Sequence, residues 1–185
     1  MTKNILITGA ATGLGRATVL KLAENGHNIA VVDFNVEEGE KTVALAKEAG
    51  ANALFIQADV SNEENVQNYV AKTIEAFGTI DVFFNNAGLM IPFRLLHEYD
   101  ENEYDRIMNV NVKGAFFGVK YVISHMLENG GGTIVNTVSS NSFKPTAYNG
   151  VYSMSKHALN GLTKSIGQDY HDKNIFAVGV APNNM

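Results

Sequence analysis

The sequence contains no cysteine, which excludes disulfides and any thiolate metal site. Its five histidines, His27, His97, His125, His157 and His171, are scattered with no ligand spacing, so no metal centre is expected. Basic residues are also scarce: 14 Lys and Arg stand against 19 Asp and Glu, a formal net charge of −5. A nucleic-acid partner is therefore not expected, because the basic footprint such binding needs is missing. No apolar run is long enough to cross a bilayer, so no membrane partner is expected either. The first apolar stretch opens at Asn4, which leaves no room for a signal peptide. A cytoplasmic location fits these absences. No internal repeat, low-complexity segment or linker interrupts the chain, and residues 1–185 read as one domain.

What is present is an ordinary globular composition, 45% hydrophobic and 18% charged over 185 residues, enough for a sizeable core. Apolar runs alternate with helical patterns from end to end. Strand-like runs are Asn4–Thr8, Asn28–Asp33, Ala53–Ala58, Asp81–Asn85, Thr133–Ser139 and Phe176–Ala181. Helical patterns begin near Gly13, Val36, Asn62, Glu101 and Tyr152. The strands show little polar alternation, as expected when helices cover both faces of a parallel sheet. Ser61 and Glu64 have the spacing of a capping box, ahead of Val66, Tyr69, Val70, Thr73, Ile74 and Phe77 at helical intervals. Gly26, Gly50 and Gly78 each stand just past a helix, at the return to strand. The expected fold class is α/β, a three-layer doubly wound (Rossmann) parallel sheet.

Within that pattern, Thr8-Gly9-Ala10-Ala11-Thr12-Gly13-Leu14-Gly15 joins the first strand to the first helix. Its glycines allow a tight turn and a close ligand approach. The new helix turns its unpaired N–H groups and positive dipole end toward the gap, which suits a phosphate. In such a fold, an acidic side chain ending the second strand holds the adenosine ribose. Asp33 occupies that place, and it would repel a 2′-phosphate. Phe34 follows it, with Ala11 and Thr12 in the loop and no arginine or lysine among these residues to receive the phosphate. NAD is thus expected in preference to NADP. Asp33 can equally cap the next turn.

The loop spacing, T-G-x-x-x-G-x-G, resembles the compact, single-domain branch of the short-chain dehydrogenase/reductase family. Three further stretches resemble its motifs, in order along essentially the whole chain: Asp59-Val60, Asn85-Asn86-Ala87-Gly88 and Tyr152-Ser153-Met154-Ser155-Lys156. The resemblance implies strand order 3-2-1-4-5-6 and NAD bound by Gly9, Thr12, Gly13, Leu14, Gly15 and Asp33. It implies an adenine contact from Asp59 and Val60, and a cofactor-lining turn at Asn86, Ala87 and Gly88. Tyr152, Lys156 and Pro182 would stand beside the nicotinamide. Asp59 can also open the capped helix after it, and the Asn86 turn can be plain strand-end chemistry.

Tyr152 and Lys156 are four residues apart, one helical turn on one face. A phenol titrates near ~10 and is a poor base at neutral pH. A lysine cation ~4–5 Å away favours the phenolate by about 3–4 kcal/mol at an effective dielectric near 20. An isolated pair of this kind would be a surface tyrosine beside a surface lysine. Ser139 ends the fifth strand thirteen residues before Tyr152, where open α/β sheets place ligands. With no histidine near it in sequence, it is assigned a hydrogen bond to the substrate oxygen. Ser140 is the rival by one position, and the pair can simply cap the turn. Asn111 falls on the apolar side of its helix and must find partners. It is either a structural hydrogen-bonding amide or, as the family implies, part of a kink whose exposed carbonyl binds a water relaying protons from Lys156. The implied mechanism has Tyr152 as general base toward an alcohol and general acid toward a ketone.

The family continues past the sixth strand with Pro-Gly, a substrate loop and a seventh strand, whereas here Pro182 is followed by Asn183. The expectation is a truncated product or part of a longer chain, lacking the substrate-loop region and the last strand. The leading function is an NAD-dependent oxidoreductase acting on a small alcohol or ketone. The alternatives are a catalytically impaired NAD-binding regulator or scaffold, and an acyl-carrier ketone reductase, which usually prefers the NADP that Asp33 disfavours. Leu89-Met90-Ile91-Pro92-Phe93 is the expected apolar pocket wall. By resemblance, the helices holding Asn111 and Tyr152 form the interface of a homo-oligomer, a dimer or homotetramer.

Overall fold

The computed structural model describes residues 1–182. Six strands, β1 (Asn4–Thr8), β2 (Asn28–Asp33), β3 (Asn52–Gln57), β4 (Val82–Asn85), β5 (Gly132–Thr137) and β6 (Ile175–Val180), form one sheet. Every pairing is parallel, and the order is β3-β2-β1-β4-β5-β6. The expected strands are all present: β1 and β2 have the expected bounds, and the other four have ends displaced by at most two residues. The reversal of strand order falls between β1 and β4, which opens a crevice at their carboxyl ends.

Alternation along each strand divides the core into two layers. Leu6, Val32, Ile56, Phe83 and Ile134 pack with Val66, Tyr69, Val122 and Ile166. These belong to the layer of α3 (Glu63–Phe77), α5 (Ala115–Glu128) and α6 (Gly150–Tyr170). Ile5, Ile7, Ile29, Val31 and Phe84 point the other way and pack with Val19 and Val43, from α1 (Gly13–Ala23) and α2 (Val36–Glu48). Most strand positions therefore lie between two apolar layers, which explains the weak alternation in the sequence. On β6, Ile175 is buried while Phe176, Val178 and Val180 are exposed.

Two local expectations change. The cap of α3 is Asn62, whose side chain accepts from the Asn65 N–H, and not Ser61. Asp59 Oδ1 takes both the N–H and the hydroxyl of Ser61, at 2.9 and 2.7 Å. With its hydroxyl committed backward, Ser61 is unavailable for a capping box and the helix opens one residue later. The single helical pattern from Glu101 is interrupted: α4 (Glu101–Met108) runs into a π-helical segment, Asn109–Gly114, before α5. Gly114 lets this segment lie against the turn after β3, because a Cβ there would stand 2.8 Å from the Val60 carbonyl oxygen.

Candidate active site

The carboxyl ends of the strands converge on a cavity of about 600 Å³. The first βα loop contributes Gly9, Thr12, Gly13, Leu14 and Gly15, and the ends of β2 and β3 contribute Asp33, Asp59 and Val60. Asn86, Ala87 and Gly88 follow β4, and Tyr152 and Lys156 close the far end. All these sequence-predicted residues line one space. Ser139, Asn111 and Pro182 are not among its lining.

The three loop glycines divide their work. A Cβ on Gly15 would stand 2.0 Å from the Gly9 carbonyl oxygen, and one on Gly9 would stand 2.8 Å from Ala87 Cα. Both are therefore demanded by backbone packing. Gly13 has φ +52 and nothing within 4 Å of its would-be Cβ. It leaves the mouth of the loop open, beside an α1 N-terminus that has no acidic side chain in its first turn and no side-chain cap from Thr12. Such an end offers free N–H donors to an anion.

At the end of β2, Asp33 Oδ2 accepts from the Ala11 N–H at 2.9 Å and Oδ1 from the Asn35 N–H at 3.0 Å. Asp33 thus does cap the following turn. Each carboxylate oxygen still has a lone pair free for a further donor, and the residue lines the cavity. Asp59 is exposed and makes its Ser61 contacts while facing the same space.

Asn86 ties three strand ends together. Its amide donates to the Thr8 and Gly9 carbonyls at 3.0 and 3.1 Å and accepts from the Thr137 hydroxyl at 2.9 Å. The sheet is further braced by Asn85, which donates to Asn136 Oδ1 at 3.0 Å and to the Ala115 carbonyl at 3.1 Å.

Lys156 is 4% exposed. Its ammonium donates to the Thr137 carbonyl at 2.8 Å and stands 5.6 Å from the centre of the Tyr152 ring. Burial disfavours the charge and brings the lysine down to about 8. The pair is thus no surface coincidence, since the lysine is sealed against the sheet. Val151 packs with Ile91 and Ile107, with Leu89 and Tyr152 against them; of the expected apolar wall, Leu89 and Met90 line the cavity, Ile91 is buried behind them, and Pro92 and Phe93 are exposed outside it. On that wall, Asn149 is buried and its Oδ1 has no partner among the described residues, while Nδ2 faces Met90 Sδ at 3.7 Å. Its predecessor Tyr148 holds φ +62.

Ser139 is buried and caps a short turn, accepting from the Asn141 N–H at 3.1 Å. Its hydroxyl proton has no acceptor among the described residues. Ser140 instead donates its N–H to the Pro182 carbonyl at 3.3 Å; Asn183, the other half of that sequence departure, lies outside the described residues. Asn111 grips Leu89 through both backbone groups, accepting from its N–H at 2.8 Å and donating to its carbonyl at 2.9 Å, and reaches Ser155 Oγ at 3.1 Å. Its amide links the π-helical segment to the turn after β4 and to α6. A Cβ on Gly88 would stand 3.3 Å from Asn111 Oδ1 and 3.4 Å from Lys156 Nζ, which puts both groups directly behind that turn.

Sequence reasoning missed Thr137, Ser142 and Ser155. Ser142 donates to the Lys156 carbonyl at 2.8 Å and accepts from the Ser139 N–H at 3.1 Å, joining the two predicted positions. Thr137 was within reach of sequence reasoning, standing two residues before Ser139, but nothing local marks Ser142.

The model of the family described as short chain dehydrogenase matches residues 3–185. A Thermotoga maritima protein described as an uncharacterized oxidoreductase is 41% identical over 180 residues, 97% of this chain and 70% of that protein. Levodione reductase of Leifsonia aquatica is 37% identical over 96% of this chain and 67% of its own length. A crystal structure of NAD+-bound xylitol dehydrogenase superposes with a TM-score of 0.95 at 37% identity, over 97% of this chain and 69% of that one.

Proposed function

The chain belongs to the short-chain dehydrogenase family, and from that premise we propose that it is an NAD-dependent oxidoreductase interconverting a secondary alcohol and a ketone. The observation that carries this reading is the buried Lys156 ammonium held at 5.6 Å over the Tyr152 ring, in the wall of the cavity that Asp33 closes at its other end.

The residues suit a dinucleotide. Asp33 has lone pairs for the adenosine ribose hydroxyls and repels a 2′-phosphate. Arg16 lies close by, but its guanidinium is committed to Thr42 and Glu38, so NAD is preferred over NADP. Asp59 and Val60 would border the adenine end. The open face at Gly13 and the α1 N-terminus would receive the pyrophosphate. Asn86, Ala87, Gly88, Tyr152 and Lys156 would border the nicotinamide, with Pro182 outside the cavity lining. When bound, the nicotinamide takes up or supplies the hydride.

Tyr152 Oη takes the proton of the alcohol in oxidation and returns it to the ketone oxygen in reduction. The Thr137 carbonyl fixes the Lys156 ammonium in place beside the Tyr152 ring. Ser139 donates its free hydroxyl proton to the substrate oxygen. Asn111 sets the turn at Leu89, and the π-helical backbone around it offers the route for a relaying water. One domain, residues 1–185, carries both cofactor and catalytic sites. It works in the cytoplasm on a small alcohol or ketone. It assembles as a homo-oligomer, dimer or tetramer, through the helices bearing Asn111 and Tyr152, which light scattering of the purified chain tests.

The functional test is nicotinamide absorbance across a panel of secondary alcohols and ketones, with NAD and NADP in parallel. Turnover with NAD and little with NADP is the expected result. Binding without turnover on any substrate would identify a catalytically impaired regulator instead.

A further inference from the structure

Ala11 sits between Gly9 and Thr12 in the loop proposed to face the pyrophosphate, and both of its backbone polar groups are held by side chains. Its N–H donates to Asp33 Oδ2 at 2.9 Å, and its carbonyl accepts from the Thr42 hydroxyl at 3.1 Å. Thr42 is fully buried on α2 and does not line the cavity.

The proton count at Thr42 gives Arg16 its importance. A hydroxyl has one proton, and two carbonyl oxygens are in reach, Ala11 at 3.1 Å and Glu38 at 2.9 Å. A threonine inside a helix ordinarily bonds back to the carbonyl four residues earlier, which here is Glu38. That carbonyl also receives Arg16 Nη2 at 3.0 Å, while Arg16 Nε donates to the Thr42 oxygen at 2.8 Å. The helix's own bond and the guanidinium together fill both lone pairs of the Glu38 oxygen. The Thr42 proton is left for Ala11. The Glu38 carboxylate pairs with the same guanidinium and holds it in this orientation, which draws its carboxyl below the usual range.

We propose that Thr42 and Arg16 are positioning residues for dinucleotide binding: the Arg16 fork directs the Thr42 hydroxyl proton to the Ala11 carbonyl. With Asp33 on the other side, this clamps the loop so that its remaining N–H groups stay turned into the cavity. A lysine at position 16 presents its donors from a single nitrogen and lacks the planar fork that meets the Thr42 oxygen through Nε and the Glu38 carbonyl through Nη2. The adenosine-selecting carboxylate and the phosphate loop then form one mechanical unit. This inference rests on the NAD reading above.

The test titrates the full chain with NADH and with reduced nicotinamide mononucleotide, which has a phosphate but no adenosine, following nicotinamide fluorescence. Thr42→Val and Arg16→Lys should weaken both ligands about two- to tenfold, the size of one lost hydrogen bond. Thr42→Ser, which keeps the hydroxyl, should stay within about twofold of the parent. Equal affinities in Thr42→Val and the parent overturn the proposal. A loss confined to NADH also overturns it, by placing the effect at the adenosine end. So does a Thr42→Ser protein as weak as Thr42→Val, because packing of the methyl group would then be the cause. Arg16→Lys decides the matter if Thr42→Val fails to fold. A parent that binds neither ligand overturns the dinucleotide reading and this proposal with it, whereas a parent that binds and variants that bind equally overturn the proposal alone.

Discussion

The ammonium of Lys156 is bonded to the backbone carbonyl of Thr137 at 2.8 Å, and no carboxylate pairs with it among the described residues. A buried cation with a neutral partner is held at a cost to the fold.

That cost has a pH signature. Burial lowers Lys156 from an ordinary value of 10.5 to about 8 in the folded chain. Below pH 8 both folded and unfolded states carry the proton, and the fold bears the full penalty. Between about 8 and 10.5 the unfolded state holds more protons, so stability rises with pH. Relative to Lys156→Met, the parent should gain about 3 kcal/mol across that window. Urea unfolding of both proteins at several pH values checks it, and parallel curves would refute it.

Removing the phenol oxygen should separate chemistry from binding. Tyr152→Phe is expected to lower kcat by about 10²- to 10⁴-fold while leaving NADH affinity within about threefold of the parent. A variant that retained full turnover would overturn the assignment of Tyr152.

The glycines of the first loop should respond unequally to alanine. Gly15→Ala forces a Cβ to within 2.0 Å of the Gly9 carbonyl oxygen, and backbone on both sides cannot yield cheaply. Loss of at least about 3 kcal/mol, or failure to fold, is expected. Gly13→Ala meets no atom and bears only the left-handed backbone penalty, about 1–2 kcal/mol, yet it obstructs the open mouth of the loop. Denaturant midpoints and NADH titrations together show whether stability and binding separate in this way.

Tyr69 is fully buried with no partner for its hydroxyl among the described residues. Desolvation pushes that hydroxyl far above its usual range. Deleting the oxygen removes an unsatisfied group, so Tyr69→Phe should be neutral or stabilising by up to about 1–2 kcal/mol. A loss of more than about 1 kcal/mol would reveal a hidden partner such as an internal water.

Features made by near neighbours in the chain were legible before the structure. Three of these were the glycine loop between an apolar strand and an amphipathic helix, an acid at the end of the second strand, and a tyrosine and lysine one helical turn apart. The capping box at Ser61 was misread although every group involved is local, because Asp59 competes for the same hydroxyl and spacing does not rank competitors. Asn111 could be seen to need partners, but not that these would be both backbone groups of Leu89, 22 residues away, and the hydroxyl of Ser155. The loop glycines were read together as allowing a tight turn and a close ligand approach; what the sequence did not divide is that Gly9 and Gly15 serve contacts with Ala87 and with each other, while Gly13 alone has no neighbour within 4 Å of its would-be Cβ.

Periodicity and turn chemistry act over a few residues, so the sequence by itself determined the element order, the parallel sheet and which side chains stand at the carboxyl ends of the strands. Burial and the direction of a shared proton depend on groups brought in from elsewhere in the chain. Only the tertiary structure could decide that Lys156 loses its water to the sheet while keeping the Thr137 carbonyl. The same holds for the Thr42 proton, which turns to Ala11 because Arg16 has already filled the oxygen of Glu38.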